Sequence, residues 1–101
     1  MRIISGTAGG RRLNPPKGLP VRPTTDLSKE AIFNWISSRF DFEDLKVVDL
    51  FSGTGNMAME FASRGSSLVT AVEKNGPAVQ WIKEASKELK LNISVRQQDA
   101  F

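Results

Sequence analysis

The sequence predicts an α/β fold built on a parallel sheet, and three observations predict it. From residue 46 onward, apolar strand-like runs alternate with segments of helical periodicity, the pattern of right-handed βαβ units. The first run, Val47-Val48-Asp49-Leu50-Phe51, crosses Ser52-Gly53-Thr54-Gly55 straight into a helix-like segment. That strand–turn–helix order aims a helix N-terminus at a ligand. Acids also recur where successive strands close, at Asp49, Glu73 and Asp99.

Taken in order, Met1 to Ser5 reads as a short strand, and Arg11-Arg12-Leu13 as its partner in a hairpin across Gly6 to Gly10. Asn14-Pro15-Pro16-Lys17-Gly18-Leu19-Pro20 is an extended linker, because adjacent prolines fix the backbone and remove donors. Thr24, Thr25 and Asp26 are each competent to cap a helix that meets no breaker before Arg39. Its apolar face is Leu27, Ala31, Ile32, Trp35, Ile36 and Phe40, with Lys29, Asn34 and Arg39 off that face. Trp35 and Phe33 read as core.

Asp41 to Asp44 is an acidic turn, and Lys46 to Phe51 a buried strand. Asn56 to Arg64 is a helix carrying Met57, Ala58, Phe61 and Ala62, with Gly65 placed just past its end. Leu68 to Val72 is the second strand, closed by Glu73. Asn75 caps a third helix with Pro77 in its first turn and Val79, Ile82, Ser86 and Leu89 inward. Leu91 to Arg96 is the third strand, followed by Asp99-Ala100-Phe101.

Composition narrows the chemistry. At 101 residues, the chain makes at most one small domain with a modest core. There is no cysteine and no histidine, so disulfide and thiol chemistry is excluded, along with the commonest general base and metal ligand. No metal is expected. No apolar run is long enough to cross a membrane and no signal-peptide core is visible, which makes the cytoplasm the default location. The net charge of +3 hides an asymmetry: Arg2, Arg11, Arg12, Lys17 and Arg22 lie in residues 1–23 with no acid among them. A basic arm of this kind suits a polyanion, the alternative being a plain solvated surface.

The glycine turn narrows it further. Gly53-Thr54-Gly55-Asn56-Met57-Ala58 fits a loose dinucleotide fingerprint with Glu73 downstream for a ribose, so an NAD-type enzyme competes. Against it, Asp49 would set a carboxylate against a pyrophosphate, and the strand opens only at Lys46 rather than near the start. No Gly-Lys-Ser/Thr follows, which excludes a Walker loop. S-adenosyl-L-methionine fits better, having no phosphate, a sulfonium, an ammonium, a ribose diol and an adenine. Asp49 suits the ammonium, Gly53 and Gly55 allow close backbone approach, and Glu73 suits the ribose hydroxyls. Asp99 and the Ala100 amide suit the adenine. The bland alternative makes these acids surface turn residues.

Several stretches carry a resemblance. Met1-Arg2-Ile3-Ile4-Ser5-Gly6 with Gly10-Arg11-Arg12-Leu13, and Arg22-Pro23-Thr24-Thr25-Asp26 with Lys29-Glu30-Ala31-Ile32-Phe33-Asn34, are two of them. Asp49 to Gly55 and Val72-Glu73-Lys74 are the others. Together they resemble the bacterial 16S rRNA guanine-N2 methyltransferases. The resemblance implies a Rossmann-like class I methyltransferase sheet, of which only the first three strands are present, with an N-terminal β-hairpin extension. Residues 1–23 would be the RNA-binding hairpin and linker, and residues 24–101 the N-terminal half of the cofactor domain. Ser52 and Lys74 join the cofactor-binding set, and Thr24 and Thr25 would flank the methionyl end. Arg2, Arg11, Arg12, Lys17 and Arg22 would contact phosphates of 16S rRNA or the small ribosomal subunit.

The family's Asn/Asp-Pro-Pro-Tyr/Phe catalytic loop is missing. Asn14-Pro15-Pro16-Lys17 lacks the aromatic, so no catalytic residue is assigned to this chain. The expectation is therefore the N-terminal part of a longer protein, inactive alone and prone to self-associate through an open sheet edge. A nucleic-acid adenine-N6 methyltransferase and a non-catalytic RNA-binding module are the alternative functions on this fold.

Overall fold

The computed structural model describes residues 1–19 and 25–99, so Arg22, Thr24 and Ala100 lie outside the described residues. Helix α1 (Asp26–Ser37) and a 3-10 turn (Phe42–Asp44) precede strand β1 (Lys46–Leu50). Then follow α2 (Asn56–Ser63), β2 (Leu68–Glu73), α3 (Gly76–Glu88) and β3 (Ser94–Gln97). The strands form one parallel sheet in the order β1-β2-β3, paired Val47 to Val69 and Asp49 to Ala71, then Ala71 to Val95.

Helix α2 lies against β1 and β2, and α3 against β2 and β3. Val69 and Ala71 of β2 meet Ala58, Met59, Ile82 and Ala85 in the core. The inward face expected for α3 is observed, with Val79, Ile82, Ser86 and Leu89 all buried. Asn75 caps α3 by accepting from the Ala78 amide at 2.9 Å, and Gly65 follows α2 at φ 99.

The N-terminal hairpin is a single antiparallel bridge between Arg2 and Arg12, supported by the Ile3 amide on Arg11 O and the Leu13 amide on Met1 O. Its apolar residues Ile3, Ala8 and Leu13 enter the same core as α2 and α3. Ser63 of α2 anchors the bend: its hydroxyl donates to Ser5 O at 2.6 Å and accepts from the Ala8 amide. Gly6, at φ +84, is required here because a Cβ would fall 1.9 Å from Ser63 O.

Four expectations are corrected. Helix α1 turns the other side inward: Lys29 and Phe33 are buried, whereas Leu27, Ile32, Trp35 and Phe40 are exposed, Trp35 by 56%. The cause is specific pairing. Phe33 meets the Phe61 ring edge-on at 4.6 Å, and Lys29 is drawn into α2 by a carboxylate. α1 also ends at Ser37, because Ser38 Oγ and Arg39 Nη1 both take the Trp35 carbonyl. Strand β1 is not buried on both sides: Val48 is 64% exposed and Leu50 52%. They stand in register with Thr70 and Val72, on the sheet face away from Val69 and Ala71. Finally, β3 starts at Ser94 rather than Leu91, because the Leu91 amide donates to Ser86 O, beside Lys90 at φ 56.

Candidate functional site

The turn after β1 alternates into left-handed backbone. Phe51 (φ 59), Gly53 (φ 58) and Gly55 (φ 78) all lie at positive φ. For Phe51 this costs on the order of 1 kcal/mol, so the surrounding bonds must hold it. The Ser52 amide donates to Val72 O at 2.9 Å and the Gly55 amide to Ser52 O at 2.8 Å. Gly55 also sits where a Cβ would come 3.0 Å from Ile82 Cγ1, so the glycine serves close packing as well as turning.

The acids of the first two strands converge on this turn. Asp49 accepts from Ser52 Oγ at 2.9 Å. Glu73 is buried, and its two oxygens accept from the Gly53 amide at 2.9 Å and the Asn75 amide at 2.8 Å. Its carboxylate therefore bridges the glycine turn and the cap of α3, with lone pairs remaining on each oxygen. The Gln98 amide donates to Glu73 O at 3.1 Å, which brings the exit of β3 to the same edge, one residue before Asp99. Asp99 and Lys74 are exposed there. Thr25 spends its hydroxyl on the N-cap of α1, accepting from the Ser28 amide at 3.1 Å.

A buried charge hub escaped the sequence reading. Lys29 Nζ lies 2.9 Å from Glu60 Oε1, both side chains fully buried, and also donates to Asn56 Oδ1 at 2.7 Å and Arg2 O at 2.8 Å. Glu60 accepts further from the Ile4 and Ser5 amides and from Arg64 Nε. Burial holds the Lys29 ammonium below the ordinary lysine range, opposed by the Glu60 hydrogen bond and charge. Burial pushes Glu60 upward, yet hydrogen bonds from the Ile4 amide, Arg64 and Lys29 outweigh it and hold the carboxyl below its usual value. The Glu60–Arg64 spacing is an i,i+4 pair, the one local signal that pointed here. The hub joins the N-terminal arm and α1 to Asn56, the first residue of α2. Trp81, whose indole Nε1 donates to Thr54 O at 3.2 Å, was also missed.

On the arm, Arg11, Arg12 and Lys17 are exposed. Arg2 is partly neutralised by Asp26 at 3.2 Å, and Arg11 reaches Glu88 only at 4.0 Å. Among the described residues, no helix is long and apolar enough to cross a membrane.

This architecture has solved counterparts. The chain overlays "Putative methyltransferase yhhF from Escherichia coli" with a TM-score of 0.85 and 30% identity, covering 99% of this chain and 53% of that one. It also overlays magnesium protoporphyrin IX methyltransferase (ChlM) from Synechocystis PCC 6803 with bound SAH, at a TM-score of 0.65. That match covers 72% of this chain and 34% of ChlM, and its 18% identity speaks for the fold alone. The class is thus a partial Rossmann-like sheet of the class I methyltransferases.

The chain belongs to the family described as Conserved hypothetical protein 95, which it matches over residues 1–101. "Putative rRNA methyltransferase YlbH" of Bacillus subtilis (strain 168) is 42% identical over 90% of this chain. "Ribosomal RNA small subunit methyltransferase D" of Escherichia coli (strain K12) is 37% identical over 72% of it. The chain spans about half the length of YlbH (48%) and 36% of the Escherichia coli enzyme.

Proposed function

We propose that this chain is the cofactor- and RNA-binding part of a cytoplasmic rRNA methyltransferase that uses S-adenosyl-L-methionine to methylate the exocyclic N2 of a guanine in 16S rRNA. The observation that carries the cofactor reading is Glu73. Its buried carboxylate is held by the Gly53 amide, so the turn amide that a pyrophosphate would seek already has an anion. Uncharged ribose hydroxyls can still donate to its remaining lone pairs. Asp49, adjacent on the sheet, offers a carboxylate to an ammonium. Lys74 and Asp99 are exposed where β2 and β3 end, Ser52 holds Asp49 and Thr25 caps α1; the sequence reading adds Thr24 and the Ala100 amide to this set. These donors and acceptors fit S-adenosylmethionine, which when bound supplies an electrophilic methyl group on sulfur. The chain's own residues bind and orient; none of them is assigned to the acceptor amine.

The RNA reading is supported by Arg11, Arg12 and Lys17, exposed on a folded arm, with Arg2 and Arg22 as further phosphate contacts. Rigid presentation of such charges positions a nucleic acid without reading its sequence. The names of the curated relatives favour small-subunit rRNA. The guanine N2 acceptor rests on the resemblance in the sequence.

Titration calorimetry with S-adenosylhomocysteine and with NADH tests the cofactor. Heat from the first and none from the second is expected; the reverse would overturn the reading. Nucleoside mass spectrometry of 16S rRNA from cells lacking the gene tests the acceptor. Loss of one N2-methylguanosine is expected, and an unchanged N2-methylguanosine content would remove that assignment.

A further inference from the structure

We infer that Trp81 is a positioning residue for the glycine turn, and through the turn for the cofactor. The ligand effect rests on the S-adenosylmethionine reading above; the effect on the turn does not. Glycines populate several backbone basins at similar cost, so a Gly-x-Gly turn needs outside anchors to hold one geometry. The structure supplies two from different elements. The Glu73 carboxylate takes the Gly53 amide at 2.9 Å. From α3, the Trp81 indole Nε1 donates to the Thr54 carbonyl at 3.2 Å.

That carbonyl shares its peptide plane with the Gly55 amide, which donates to Ser52 O at 2.8 Å. The plane is therefore held at both ends, and rotating it would break both bonds together. The residue beside Trp81 closes the remaining freedom: Ile82 is fully buried and stands 3.0 Å from the position a Gly55 Cβ would take. Thr54 itself is 8% exposed, so little water reaches its carbonyl to replace the indole. Trp81 does not supply a charge or a hydroxyl to the edge where the acids lie. Its action is on the direction of the amides and on the entry into α2.

Two variants separate this from packing. Trp81→Phe removes the N–H and part of the ring. Site-specific benzothienylalanine at position 81 replaces the N–H by sulfur and keeps the volume. Both are expected to weaken S-adenosylhomocysteine binding about fivefold, the equivalent of one neutral hydrogen bond near 1 kcal/mol. Both should also speed amide exchange at Gly55, and for the isostere by more than exchange in β2. Unchanged exchange at Gly55 in the isostere would overturn the inference. So would faster exchange spread evenly over the core, which would make Trp81 a packing residue. If the unaltered chain does not bind S-adenosylhomocysteine, the cofactor reading fails, and exchange at Gly55 alone decides the role of Trp81.

Discussion

Lys29 Nζ and Glu60 Oε1 stand 2.9 Å apart with both side chains sealed from solvent. Removing Lys29 would leave Glu60 with Arg64 and the Ile4 and Ser5 amides, but would take one buried cation from it and the donor from Asn56 Oδ1 and Arg2 O. Lys29→Met is therefore expected to lower stability by roughly 1–3 kcal/mol, a sizeable share of what a domain of this size holds. Urea denaturation checks this, and no measurable loss would show that Arg64 and the two amides suffice for Glu60.

The same pair gives an acid-side signature. Glu60 is held below its unfolded value, so its contribution is present at neutral pH and lost as pH falls through the folded value. Glu60→Gln should be less stable than the parent at neutral pH, and the gap should narrow on acidification. Unfolding curves at a series of pH values read this directly; a gap that widens toward acid contradicts the assignment.

Asp49 and Glu73 are expected to differ in how they fail. Asp49→Ala should weaken S-adenosylhomocysteine binding with a small stability cost. Glu73→Ala should do both, because it also releases the Gly53 and Asn75 amides. Calorimetry paired with thermal melts distinguishes them, and undiminished binding in either variant would remove that residue from the site.

Replacing Arg11 and Arg12 together by Gln should reduce the slope of log affinity against log salt by about 1.4 if each meets one phosphate of single-stranded RNA. Cofactor affinity should not change. An unaltered slope would place the phosphate contacts elsewhere.

The open face and outer edge of β1 should drive self-association of the chain. Val48→Lys is expected to shift sedimentation toward the monomer, since a charge on this exposed face opposes its burial against a second copy. Identical sedimentation of the two proteins would exclude this surface.

What was legible in the sequence was local. The turn at Gly53-Thr54-Gly55, the Asn75 cap with Pro77, and the inner face of α3 each announce themselves within one turn of chain. The orientation of α1 did not, because a lysine at a helical position reads as solvated until its partner is known. Glu60 belongs to another helix, and the fold buries Lys29 against it while the stripe with Trp35 stays exposed. Strand β1 was misjudged for a related reason: an apolar run reports that a face can be covered, and whether it is covered depends on neighbouring elements. The left-handed backbone at Phe51 carried no sequence signal at all, since nothing about a phenylalanine marks positive φ.

Helix α2 has eight residues, a rod of about 12 Å. Its first residue follows the glycine turn, and its last, Ser63, grips the bend of the basic arm. Glu60 and Lys29 brace the arm along the way. In the proposed assignment this helix is a ruler: it fixes how far an RNA phosphate held by the arm lies from the methyl donor. Inserting or deleting a residue within it would change both that distance and its rotational phase, while leaving every contacting side chain in the sequence.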